Sequence, residues 1–207
     1  MKKVINCYTE NNPVINKKLR EVSVEEGLEI ATELFQILNE RGDGIGLAAN
    51  QVGIDAQVAV VNVREPLVLI NPKIEKVWDE IDYYEGCLSY PNKGIHTKRY
   101  KNIIINTEQE EGGWYFSGAE SSKGKGTWET SAKHDQEQRL LEAVCVQHEI
   151  DHLMGKTVHD RKVDTTVKVE KKIGRNQLVT IKRNDAVKVL KYKKAQKFLN
   201  EGWEING

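Results

Sequence analysis

The chain has 207 residues, 39% of them apolar and 30% charged, enough for one soluble domain with its own core and a small appendage. Lys+Arg and Asp+Glu balance at 31 each, so net charge names no partner. The balance hides an asymmetry: Lys162–Gly207 carries 12 basic against 5 acidic residues, and a basic tail of this kind either approaches a polyanion such as RNA or serves as a solvated face.

The first element is announced by Ser23-Val-Glu-Glu26, a capping box that predicts a helix over about residues 24–40, with Leu28, Ala31, Leu34, Phe35 and Leu38 at helical spacing and Arg41–Gly44 breaking it. Short β-branched runs follow. Gln57–Val63, Leu67–Ile70, Lys73–Val77 and Asn102–Asn106 read as strands, and Trp114–Phe116 as a partner for the last of these. Ser117–Gln136 is almost devoid of apolar residues and reads as a flexible surface insertion. A second helix is expected over Glu137–Met154, where Leu141, Cys145, His148 and His152 share one face and Gly155 supplies a stop. The remainder alternates like a hairpin, Gln177–Lys182 against Val187–Tyr192, before a short helix over Lys194–Glu201.

The chemistry concentrates in His148-Glu149-Ile150-Asp151-His152. On a helix, positions four apart lie on one face, so both imidazoles can reach a single metal ion, with Glu149 beside them as a proton acceptor. Two histidines leave a catalytic site one ligand short. The downstream spacing of one large protease class would place a histidine at position 158, but Val158 stands there and His159 is one residue late. Upstream, Glu85-Gly86-Cys87-Leu88-Ser89 sets a cysteine in a tight turn, a better third ligand, although a lone cysteine is usually a small buried hydrophobe. Cys7 and Cys145 fit that plainer description, and an odd count of three argues against a disulfide framework and suits a reducing compartment. Gly44–Gln51 is a glycine-rich segment whose backbone permits close approach and whose Gln51 amide can meet developing negative charge. The polar start at Met1–Asn6 lacks the apolar core of a signal peptide, and no apolar run nears the roughly 20 residues of a membrane helix. The expectation is a cytoplasmic protein with no membrane or DNA partner.

Together, Gly44–Gln51, Glu85–Ser89 and His148–His152 resemble, in order and at every fixed position, the three motifs of the peptide deformylase family, and the flanks around Leu19-Arg20, Leu69–Pro72 and Gln147 agree. The resemblance covers roughly residues 4–160 and implies an α+β fold, small mixed or antiparallel sheets around a central metal-bearing helix. Residues 1–161 would form the catalytic domain and 162–207 a basic extension of hairpin plus short helix. It implies Cys87, His148 and His152 as ligands of one divalent ion, natively Fe2+, with Zn2+, Ni2+ or Co2+ able to replace it. Catalysis would fall to Glu149, the Gln51 amide and the backbone N–H of Leu88. Ile45, Gly46, Tyr84, Glu85, Val144 and Cys145 would bind the substrate, with Glu85, Arg99 and Asp151 steadying the ligand-bearing segments. The implied substrates are formyl-Met nascent peptides, with formate released and the ribosome as a partner through the basic segment. Three departures stand out: the Ser117–Gln136 insertion, a basic hairpin-and-helix ending where bacterial members commonly finish in a helix, and Asn92-Lys93-Gly94, which lacks an arginine often found there for peptide contact. They suit a divergent source, viral ones included, for which the compartment would be the host cytoplasm. A zinc endopeptidase and a non-catalytic metal-binding relative are the alternatives.

Overall fold

The structure, a computed structural model, describes residues 2–110, 112–118, 129–163, 178–183, 186–199 and 202–206. It is α+β, and the chain divides into two compact units, Met1–Val163 and Asp164–Gly207. In the described residues, no helix is long and apolar enough to cross a membrane.

In the first unit, α1 (Val24–Arg41) begins where Ser23 Oγ accepts from the Glu26 N–H at 3.2 Å, and Gly42 ends it in the left-handed conformation at φ 69°. Only half of the anticipated box forms. The Glu26 carboxylate turns outward and pairs with Arg20 instead of returning to the backbone of Ser23. Beyond α1 come β1 (Gly46–Ala48), a 3₁₀ turn (Ala49–Val52), β2 (Val58–Asn62) and β3 (Pro66–Ile70), antiparallel in the order β1-β2-β3. Both faces of this sheet are covered. Val58, Val60 and Ile70 pack under Leu34 and Leu38 of α1, while Ala59, Val61 and Leu69 face Val146, Ile150 and Leu153 of the next helix. That two-sided burial is why the strand residues read as continuous apolar runs rather than alternating ones.

The second sheet departs most from expectation. Instead of short strands, β4 (Lys73–Cys87) and β5 (Tyr90–Asn106) form one long antiparallel ribbon, with β6 (Trp114–Ser117) paired to the end of β5. A register shift between Glu85 and Cys87 bends the ribbon at its tip. The helix α2 (Glu129–Leu153) packs against both sheets. It starts eight residues earlier than the apolar pattern suggests, so Glu129–Gln136 of the anticipated insertion is helical, while residues 119–128 lie outside the described set. Gly155, at φ 73°, follows the helix, and Val158–Arg161 makes a second 3₁₀ turn.

The second unit contains β7 (Leu178–Arg183), β8 (Ala186–Lys191), α3 (Tyr192–Leu199) and β9 (Glu204–Asn206), in sheet order β8-β7-β9. Val179, Ile181 and Ala195 form its core, and the Lys188 ammonium lies 4.4 Å from the Phe198 ring centre. The hairpin and short helix correspond to the sequence pattern; β9 has no counterpart in it.

Candidate active site

Three elements meet at one point. The bent tip of the β4–β5 ribbon carries Cys87; successive turns of α2 carry His148 and His152; the 3₁₀ turn after β1 carries Gln51. That turn is tied to the end of α2 by Asn50, whose side-chain amide donates to the His152 carbonyl at 2.8 Å and to the Ile15 carbonyl at 3.1 Å.

Cys87 Sγ lies 3.3 Å from His152 Nε2, which lies 3.2 Å from His148 Nε2, and all three donor atoms fall within 4.8 Å of one another. A tetrahedral ion with bonds of about 2.0–2.3 Å spaces its donors roughly 3.3–3.6 Å apart, so the trio is set for one cation. Charge agrees with spacing. Burial disfavours the Cys87 thiolate, but the His152 and His148 imidazoles outweigh it and hold the thiol well below its ordinary pKa. The donor set therefore fits a divalent metal, and among the described residues it is the only such cluster. His159 stands apart, its ring edge-on to Tyr90 at 4.7 Å, which removes the ligand a protease of the extended helix motif would use.

Behind the ligands runs a buried ionic chain. His148 Nδ1 meets Glu85 Oε2 at 3.3 Å, which turns Nε2 towards the cluster. The other Glu85 oxygen accepts from Arg99 Nη2 at 2.6 Å, Arg99 Nε at 2.9 Å and Thr97 Oγ1 at 2.7 Å. Burial resists ionisation of Glu85, yet His148 and Arg99 prevail and bring its pKa down to about 2. Arg99, 2% exposed, also donates to Asp151 at 2.5 Å. Asp151 in turn accepts from Arg161 at 2.9 and 2.7 Å. Sequence reasoning named Glu85, Arg99 and Asp151 but missed Arg161, which belongs to the 3₁₀ turn after α2 and to no motif. Glu85, expected also to bind substrate, borders the pocket with both oxygens committed to this chain.

Glu149 is different. It is 3% exposed, and its Oε2 has no hydrogen-bond partner. Burial raises its carboxyl to about 7, against the pull of His148 and His152. It borders a cavity of about 460 Å³ that also takes in Gln51, Cys87, Leu88 and His148. Gln51 is fixed in one sense: its Oε1 accepts from the Ala48 N–H at 2.8 Å, so Nε2 points to Cys87 Sγ at 3.6 Å and Ser89 Oγ at 3.3 Å.

The remaining predicted residues distribute along the same cavity. Val144 and Cys145 lie on its α2 side, buried; Ile45 and Tyr84 border it but are 40% and 62% exposed, so they form the mouth. Gly46 sits where β1 crosses α2. A Cβ there would stand 2.7 Å from Cys145 Sγ and collide with Glu149 Oε1, so any larger residue would have to displace the thiol and the carboxylate. Leu141, which shares the helix face of Cys145, His148 and His152, also lines the cavity, as do Tyr83 and Tyr90, which carried no signal in the sequence.

Two imidazoles and a thiol with donor atoms spaced for one cation, beside an unpartnered buried carboxylate in an open pocket, define a metal-dependent hydrolase. The polypeptide deformylase family model matches residues 4–168. The peptide deformylase of Dictyoglomus thermophilum is 34% identical over 165 residues, 78% of this chain and 94% of that one. Among solved structures, peptide deformylase from Thermotoga maritima matches at 27% identity with a TM-score of 0.60, covering 79% of this chain and 98% of that one. A probable peptide deformylase from the Synechococcus phage S-SSM7 matches at 27% identity and a TM-score of 0.59, covering 78% and 99%. The chain belongs to the polypeptide deformylase family, and its activity is that of a peptide deformylase.

Proposed function

We propose that this chain removes the formyl group from the N-terminal methionine of newly made proteins, with Cys87, His148 and His152 holding the metal and Glu149 moving the proton. The observation that carries the reading is the free Glu149 oxygen, buried beside the donor cluster at the foot of the pocket.

Cys87, His148 and His152 would hold a divalent ion, which when bound would supply Lewis acidity for water and for a carbonyl near neutral pH. Glu149 accepts the proton of the attacking water at its unpartnered Oε2 and later delivers it to the methionine amine as that group leaves. A pKa near 7 suits both halves of the task, since the same group must take a proton and give it back. The Gln51 amide, locked by Ala48, and the backbone N–H of Leu88 donate to the formyl oxygen as it gains negative charge. Gln51→Leu should lower kcat about 100- to 1,000-fold with the fold intact. A loss under tenfold in steady-state assays would remove Gln51 from this role.

The methionine side chain, flexible and polarizable, is accommodated by Val144 and Cys145 with Ile45 at the mouth, and the peptide passes along Gly46. Iron(II) is the proposed native ion, with Zn2+, Ni2+ and Co2+ as competitors, because a mixed sulfur and nitrogen set accepts all four. Cys87→Ser should sharply weaken metal retention during dialysis against a mild chelator. Metal content equal to that of the parent would exclude Cys87 as a ligand. The basic segment Lys162–Gly207 is proposed to bring the enzyme to the ribosome in the cytoplasm, and its charge supports this; unchanged cosedimentation with ribosomes after lysine-to-glutamate substitutions there would refute it.

The deciding experiment is formate release from formyl-Met-Ala-Ser by freshly iron-loaded protein under anaerobic conditions. Turnover is expected; its absence beside a working control enzyme would overturn the proposal.

A further inference from the structure

The charged side chains that border the cavity are accounted for one by one, and a single cation is left over. Inside, Glu85 is committed to Arg99, and Glu149 and His148 belong to the chemistry. At the open end, Arg41 and Asp43 form a two-pronged ion pair, Nε to Oδ1 and Nη2 to Oδ2, each at 2.9 Å, so that wall is neutral. On β5, Lys93 borders the same cavity, is exposed, and has no ion-pair or hydrogen-bond partner among the described residues. Its neighbour Gly94 is overlain by the Tyr84 ring, which itself packs at 5.1 Å against His96, so Tyr84 gives this stretch of the rim a fixed surface.

We infer that Lys93 makes the enzyme selective for formyl-Met chains with an acidic side chain just after the methionine. This rests on the deformylase reading above. An extended peptide advances about 3.3 Å per residue, so the first residues beyond a methionine held in the pocket cross the open end, where, among the described residues that line it, Lys93 is the cation without a partner. A carboxylate there gains an attraction that a lysine side chain loses. Because Lys93 is exposed, the preference is modest, and it acts equally on ground and transition state, so it appears in KM rather than kcat.

The test compares formyl-Met-Glu-Ser, formyl-Met-Ala-Glu, formyl-Met-Ala-Ser and formyl-Met-Lys-Ser. Alongside, calorimetry measures the Kd of the deformylated peptides Met-Glu-Ser and Met-Lys-Ser. The parent enzyme should show KM about 2- to 5-fold lower for at least one acidic peptide than for the lysine peptide at low ionic strength, shrinking in 0.5 M salt on the order expected from screening. Lys93→Glu should invert that ratio. Asp43→Asn, which frees Arg41 at the border of the same cavity, should enlarge it. If formyl-Met-Ala-Ser is turned over while the acidic-to-lysine ratio is near one, or survives Lys93→Glu unchanged, the Lys93 proposal fails and the deformylase reading stands. If no formylated peptide is hydrolysed, the deformylase reading fails, and the Kd ratio with and without Lys93→Glu decides the selectivity by itself.

Discussion

Glu149→Ala is expected to lower kcat on formyl-Met peptides by about 100- to 10,000-fold while the protein keeps its metal and its fold. The reasoning separates two functions that adjoin in sequence. His148 and His152 face the donor cluster with Cys87, whereas Glu149 is no member of it and borders the pocket with one oxygen free. Removing the carboxylate therefore leaves all three donors in place. It also removes a buried acid that pays for burial with a raised pKa and has no hydrogen bond at Oε2 to lose, so stability should fall little. Glu149→Gln is the stricter comparison, since it keeps the side-chain volume beneath Gly46 and abolishes only the proton site. Metal analysis and steady-state kinetics on both variants decide the matter. Turnover within about tenfold of the parent would mean that another group moves the proton, and loss of metal would mean that the carboxylate helps to hold the ion.

The parts of this molecule that could be read from sequence are those whose cause is local. Ser23 caps α1 because a hydroxyl three residues before Glu26 meets a free amide of the first turn, and the His148/His152 spacing follows from helical geometry alone. Cys87 was reachable in a different way: it lies 65 residues from His152, but the chemistry of a half-complete donor set asks for a third ligand. The long β4–β5 ribbon escaped because most of β4 is exposed, so neither alternation nor an apolar run marks it, and its cross-strand register with β5 is invisible to a one-dimensional pattern. The early start of α2 escaped for a similar reason, since Glu129–Gln136 offers no apolar residues at helical spacing apart from one alanine. Glu26 and Arg161 show the remaining limit. Each finds its charged partner across a turn of the chain, six residues away for Glu26 and ten for Arg161, spacings that no regular periodicity announces.

Arg99→Met should lower the free energy of unfolding by about 3–5 kcal/mol. Methionine keeps much of the volume but not the charge. The loss strips Glu85 of two donors and Asp151 of one, in surroundings where Arg99 is 2% and Glu85 8% exposed. Glu85 retains Thr97 and His148, and Asp151 retains Arg161, which places the expected cost towards the lower end of the range. The penalty comes from stranding anions rather than from losing a favourable pair, and this can be separated experimentally. If so, Glu85→Gln combined with Asp151→Asn in the Arg99→Met background should recover a good part of the stability measured by urea unfolding, because no uncompensated charge is left inside. The same triple variant should still hold metal more weakly than the parent, since His148 has lost the carboxylate that orients its ring. A triple variant no more stable than Arg99→Met alone would show that the guanidinium acts through its packing against the ribbon and not through the charges it neutralises.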